Sequence, residues 1–175
     1  MPKAHIKTEN PPTQSDSVSE DSVAVPKIVQ IDSASITQPY PGVSLPLRKI
    51  QINSSFGWRK DPFTSKRSWH NGIDLQARDD LAMSMLNGVV VKTGKDNRSG
   101  VYVVLRHGNF EVSYCHLSKI LVKKESRVVA GQPIGITGST GRSTGPHLHL
   151  VTKKDGQAFD PTIFLDYVRR TLIVF

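Results

Sequence analysis

The chain has 175 residues and a mass of 19.3 kDa, room for one domain with a tail but not for two full cores. Lys and Arg outnumber Asp and Glu by 23 to 15, a formal charge of +8 that favours nucleic acid, an anionic membrane surface or an anionic wall polymer as partner. A single cysteine excludes an internal disulfide framework, and no apolar run approaches the roughly 20 residues that span a bilayer.

Residues 1–45 read as a flexible tail or linker. They hold Pro2, Pro11, Pro12, Pro26, Pro39 and Pro41 among Ser and Thr, a composition that cannot bury enough apolar surface to offset its ordering entropy. The opening MPKAHIKTENPPTQ lacks the apolar middle of a signal peptide, so an export signal is not visible in this chain. Three lysines face five acids there, which leaves +10 on the expected domain, 46–175. The apolar stretch from Val23 to Ile31 is the tail's one candidate strand.

From Leu45 onward short β-branched runs alternate with Gly, Asn and Asp. The runs 88–92, 101–106, 110–115, 133–137 and 147–152 predict strands, and GKDNRSG, RHGN and KKDG predict the turns of an antiparallel sheet. Asp160-Pro161, followed by Ile163, Phe164, Tyr167, Val168 and Leu172, predicts a short C-terminal helix with Asp160 as N-cap and Pro161 as its first residue.

Three clusters carry chemistry. His70 and Asp74 are four apart, so an extended segment sets both on one face, with Gly72 permitting a sharp backbone path between them. His147 and His149 alternate with Leu148 and Leu150, which turns both imidazoles to one side of a strand. Tyr114-Cys115-His116 ends an apolar strand. Four of the six histidines fall in these clusters, while His5 and His107 read as ordinary tail and turn residues. Two imidazoles and one carboxylate are the donor set of a catalytic zinc. Neighbours on a strand point oppositely, so Cys115 reads as a buried apolar residue and not as a thiol nucleophile paired with His116. The loop from Gly138 to Pro146 lacks a Gly-Lys-Ser/Thr phosphate signature and reads as the delivery loop for His147 and His149. Its hydroxyls and Arg142 are candidates either for the groove lining or for solvent.

The domain from about Ile52 to Leu165 resembles the lysostaphin-type zinc metallopeptidases, the peptidoglycan endopeptidases with a LytM-like domain. The matching text is SSFGWRKDP (54–62), HNGIDLQA (70–77), NGVVVKTG (87–94), YCHLSKI (114–120), AGQPIGITGSTGRSTGPHLHL (130–150) and DP (160–161). The resemblance implies one zinc held by His70, Asp74 and His149, with His116 and His147 as catalytic residues. It implies a mainly β fold, an antiparallel β-sandwich or open barrel with the zinc in a narrow groove. The implied activity is hydrolysis of peptide bonds in peptidoglycan stem peptides or cross-bridges, by a monomer in the periplasm or at the cell wall. No specific nucleic-acid partner is expected, because no recognition helix or aromatic sheet motif accompanies the charge. ARDDLAMSMLNG (77–88) and Lys124-Glu125 depart from the family's usual turns, both outside the five implied site positions.

Overall fold

The computed structural model describes residues 42–173 of the protein. His5, the Val23–Ile31 stretch and most of the expected tail lie outside the described residues. Val43, inside the stretch read as tail, is buried and bridges Leu86, so the core already draws on residue 43.

The domain is mainly antiparallel β with one C-terminal helix, as the run-and-turn texture predicts. Its strands are β1 (Ile52–Ser54), β2 (Gly57–Lys60), β3 (Arg67–His70), β4 (Ile73–Gln76), β5 (Leu81–Met83), β6 (Gly88–Asp96), β7 (Gly100–His107), β8 (Phe110–Ile120), β9 (Arg127–Val128), β10 (Pro133–Thr137), β11 (His147–Lys154) and β12 (Gln157–Phe159). Ten of them form one sheet in the order β1-β4-β11-β8-β7-β6-β9, with β12 beside β11 and β5 joined through β10 to β8. β2 and β3 make a separate two-stranded hairpin.

Alternation builds the core. Ile73, Leu75, Leu148, Leu150, Val112, Tyr114, Val103 and Leu105 are buried together from four adjacent strands, and Phe164, Leu165 and Val168 of α1 (Pro161–Ile173) join the same cluster. The Tyr114 hydroxyl accepts a hydrogen bond from Met85 N at 3.2 Å. Asp160 caps α1 as expected, its Oδ1 accepting from Thr162 N at 2.9 Å.

β8 changes partner midway. Phe110–Cys115 pairs with β11, whereas Leu117–Ile120 pairs with β10. Between these halves β8 carries one extra residue relative to β7, whose Val101 and Val103 face Leu117 and Tyr114. The bulge residue region contains His116, which holds a left-handed φ of 61°. A bulge re-aims a side chain.

His107 closes β7, buried, with Nδ1 donating to Asn87 O at 3.0 Å and Nε2 without a partner among the described residues. Burial holds its pKa below the ordinary 6.5. The unfolded chain therefore binds the proton more readily, and stability is complete above pH 6.5 and lost as pH falls below it. His107→Leu is expected to reduce the acid-side slope of stability against pH, one proton being worth about 1.4 kcal/mol per pH unit; urea midpoints at pH 7 and pH 5 measure it.

Candidate metal centre

His70 and Asp74 do not share one strand. His70 ends β3 in the small hairpin, Asp74 lies in β4 of the large sheet, and Asn71-Gly72 carries the chain across. The even spacing therefore brings them together for a different reason from the one predicted: a crossing between sheets. Gly72 is needed for space. A Cβ there would press on the Leu150 carbonyl oxygen and lie 2.8 Å from His149 Cε1. Gly72→Ala is expected to lower stability by about 1–3 kcal/mol through overpacking and to displace His149. A shifted urea midpoint together with weakened metal affinity would register both effects.

β11 pairs with β4 in a register that sets His149 opposite Asp74. Three donor atoms converge as a result. His149 Nδ1 is 2.8 Å from Asp74 Oδ1, His70 Nε2 is 3.1 Å from His149 Nδ1, and His70 Nε2 is 3.3 Å from Asp74 Oδ1. Bonds of about 2.0–2.1 Å to a tetrahedral zinc place its donors roughly 3.3 Å apart, so the triangle is of the right size. Tautomers agree. His70 Nδ1 donates to Ser55 O at 2.7 Å, which leaves Nε2 of the neutral ring as a lone pair aimed at the other two donors. Lone pairs outnumber the protons available to separate them, and a cation completes such a set. Among the described residues His70, Asp74 and His149 form the group able to hold a metal ion.

Two more imidazoles border this triangle. His147 Nε2 lies 3.5 Å from Asp74 Oδ1, and its Nδ1 donates to Gly145 O at 2.8 Å. His116 Nδ1 donates to Thr140 O at 2.7 Å, and its ring centroid is 4.7 Å from that of His147 and 5.7 Å from that of His149. Burial pushes His116 down to about 4. Burial also lowers His149, against the pull of Asp74. In His147 burial acts downward but is outweighed by Asp74, and the pKa lies above the ordinary value. Burial of Asp74 would raise its pKa, yet the imidazoles of His147, His149 and His70 gathered around its carboxyl hold it well below the usual range.

Four features of the site go beyond what the sequence reading specified. Arg59 on β2 places a guanidinium nitrogen 3.5 Å from Asp74 Oδ2, the oxygen that the imidazoles leave free. Thr140 fixes the loop before β11: its hydroxyl donates to Leu117 O and accepts from Val101 N, while its carbonyl orients His116. Arg142 is no solvated loop residue, since it grips Asp61 through two hydrogen bonds of 2.8 and 3.0 Å and ties the 138–146 loop to the β2–β3 turn. Cys115 and His116 both line the cleft, because the bulge overrides strict alternation. The thiol is excluded as a nucleophile on other grounds: burial pushes it up to about 12.

The five residues open into a cleft of about 960 Å³. The two stretches that depart from the family's usual text, 77–88 and Lys124-Glu125, contribute nothing to its lining.

Residues 68–161 match the profile of Peptidase family M23. The chain belongs to this family. Among curated relatives, it is 46% identical over 104 residues to the peptidoglycan DD-endopeptidase ShyA of Vibrio cholerae, covering 58% of this chain and 24% of that protein. It is 39% identical over 118 residues to the DD-carboxypeptidase/endopeptidase Mpg of Neisseria meningitidis, covering 66% and 27%. The chain thus spans about a quarter of the length of these relatives. Among solved structures, the catalytic domain of the antimicrobial peptidase lysostaphin from Staphylococcus simulans superposes with a TM-score of 0.62 at 30% identity, over 67% of this chain and 92% of that one. M23 proteins are metallopeptidases, and the His-Asp-His triangle is where this M23 chain can hold its metal.

Proposed function

We propose that this chain is a zinc endopeptidase that hydrolyses peptide bonds in peptidoglycan, in stem peptides or cross-bridges, at the cell wall or in the periplasm. The observation that carries the reading is the donor triangle of His70 Nε2, Asp74 Oδ1 and His149 Nδ1, with edges of 2.8–3.3 Å. Those three residues would hold zinc. Bound there, zinc supplies Lewis-acid chemistry, polarising a peptide carbonyl and acidifying water enough for attack near neutral pH.

The chain's own residues do the rest. Thr140 O and Gly145 O fix Nδ1–H on His116 and His147, so each neutral ring keeps a proton-accepting Nε2. His116, held low by burial, stays a base near neutrality and receives the proton of the attacking water. His147, held up by Asp74, retains its proton longer and donates it to the developing negative oxygen or to the leaving amine. No helical His-Glu-x-x-His glutamate is present in the sequence to share this work. The basic domain offers weak attraction to anionic wall polymers, and a monomer suffices, since all five residues come from one chain.

The support from relatives is in their names: ShyA is a peptidoglycan DD-endopeptidase, and Mpg a DD-carboxypeptidase/endopeptidase. Purified protein incubated with sacculi should release muropeptides whose masses identify the cut bond. A chelator should stop the release, zinc should restore it, and His149→Ala should abolish it. Hydrolysis that ignores the chelator, or no release with stoichiometric zinc bound, would overturn the proposal.

A further inference from the structure

Both tryptophans of the chain sit on one hairpin. Trp58 of β2 and Trp69 of β3 are directly opposite in register, and they are 60% and 46% exposed. Strand alternation divides the hairpin into two faces. Arg59, Ser68 and His70 turn inward to the metal centre. Trp58, Lys60, Arg67 and Trp69 form the outer face, and Lys60 and Trp69 continue onto the rim of the cleft. The Arg67 guanidinium lies 4.7 Å over the Trp58 ring.

The two indoles meet edge to face, with centroids 5.5 Å apart, and Phe56 packs on Trp69 at 5.2 Å. That pair stabilises a hairpin which has no ladder to the large sheet. The edge-to-face pair accounts for the hairpin, but leaves both rings about half exposed, with Arg67 over one face of Trp58 and Lys60 on the same face of the hairpin. Neither Lys60 nor Arg67 has a carboxylate within 4.0 Å among the described residues, and Asp61, the acid in the hairpin turn, is held by Arg142. Flat apolar surface plus uncompensated positive charge fits a ligand with apolar flat faces and negative groups. A polysaccharide bearing carboxylates has both, since pyranose rings present their C–H faces to aromatic rings.

We infer that the outer face of the β2–β3 hairpin is a binding platform for the glycan strand of peptidoglycan, with Trp58 and Trp69 against the sugar rings and Lys60 and Arg67 toward the free muramic carboxylates of units that carry no stem peptide. This rests on the wall-peptidase reading above. His70 directly follows Trp69, so a strand held on the outer face through its bare units runs beside the cleft that takes the stem peptide of a neighbouring, substituted unit. The platform would thereby raise the local concentration of peptide at the metal centre without touching the reacting atoms.

The full chain reports on this site by itself, because tryptophan emission arises only from Trp58 and Trp69. Peptide-free glycan strands, whose muramic carboxylates are unmasked, should change that emission in a saturable and salt-sensitive manner. Neutral chitooligosaccharides should bind more weakly. Trp58→Ala should weaken binding about tenfold, the effect of losing one stacked ring, and lower the ratio of the rate on sacculi to the rate on free cross-linked peptide by a similar factor. Arg67→Gln keeps both rings and should remove part of the salt dependence, so a misfolded hairpin in the alanine variant does not decide the matter. Wild type that cleaves sacculi while its emission ignores peptide-free glycan would overturn the platform alone. An emission change that follows protein concentration instead would reveal self-association and overturn it too. Wild type that neither binds glycan nor cleaves sacculi would remove the wall substrate along with it.

Discussion

Asp74→Asn is expected to cost on the order of 10³ or more in kcat/KM and to leave the purified protein without stoichiometric zinc. Asp74 is the anionic member of the donor triangle, and its Oδ1 is the atom on which His149, His70 and His147 all converge, at 2.8, 3.3 and 3.5 Å. An amide in its place offers a neutral oxygen, and its NH₂ can satisfy only ring nitrogens that act as acceptors. With the charge gone, a divalent ion would face two neutral imidazoles, and Arg59, now without its carboxylate partner, would add repulsion. Lewis-acid stabilisation is worth several kcal/mol, which sets the size of the loss. The fold should survive, because Asp74 lies on the cleft side of β4 while Ile73 and Leu75 face the core. Metal content by mass spectrometry, rates on sacculi and far-UV circular dichroism together check this. A soluble, folded Asp74→Asn protein that kept its zinc and more than a tenth of its rate would show that the metal is held elsewhere.

The sequence exposes the strands and the donor residues well because both depend on local pattern. Leu148 and Leu150 face the core while His147 and His149 face the cleft, as alternation requires, and Asp160-Pro161 starts the helix it predicts. Relations between segments are what alternation cannot carry. The His70–Asp74 pair meets because the chain leaves one sheet for another, and Gly72 serves a contact with β11 that is invisible until β11 is in place. The bulge at His116 is likewise set from outside β8, by the divergence of β11 and β10 and by Ser99 O, which accepts from His116 N at 2.8 Å. For Thr140 and Arg142 the sequence left groove lining and solvent equally open, because their partners lie more than twenty positions away. A hydroxyl or guanidinium in a glycine-rich loop carries no period from which its target can be read.

His116→Ala is expected to separate proton transfer from metal binding: kcat should fall by about 10²–10⁴ while zinc stays stoichiometric and KM changes little. The ring is absent from the donor triangle and reaches the cleft from the bulge on β8, so its removal leaves the three candidate donor atoms with their own supports, Ser55 O for His70 and the β4–β11 register for His149. Thr140 O holds the neutral tautomer with Nε2 bare, and burial keeps that nitrogen unprotonated well below neutral pH. The deficit should therefore persist from pH 6 to pH 8, since the lost group is a base already deprotonated across that window. His147→Ala should also lower kcat, but its ring touches Asp74, and a measurable loosening of zinc should accompany the loss. If His116→Ala instead sheds its metal, His116 is a ligand; if it keeps more than a tenth of the wild-type kcat, the proton is taken by His147, and the tautomer held by Thr140 serves only to pack the loop.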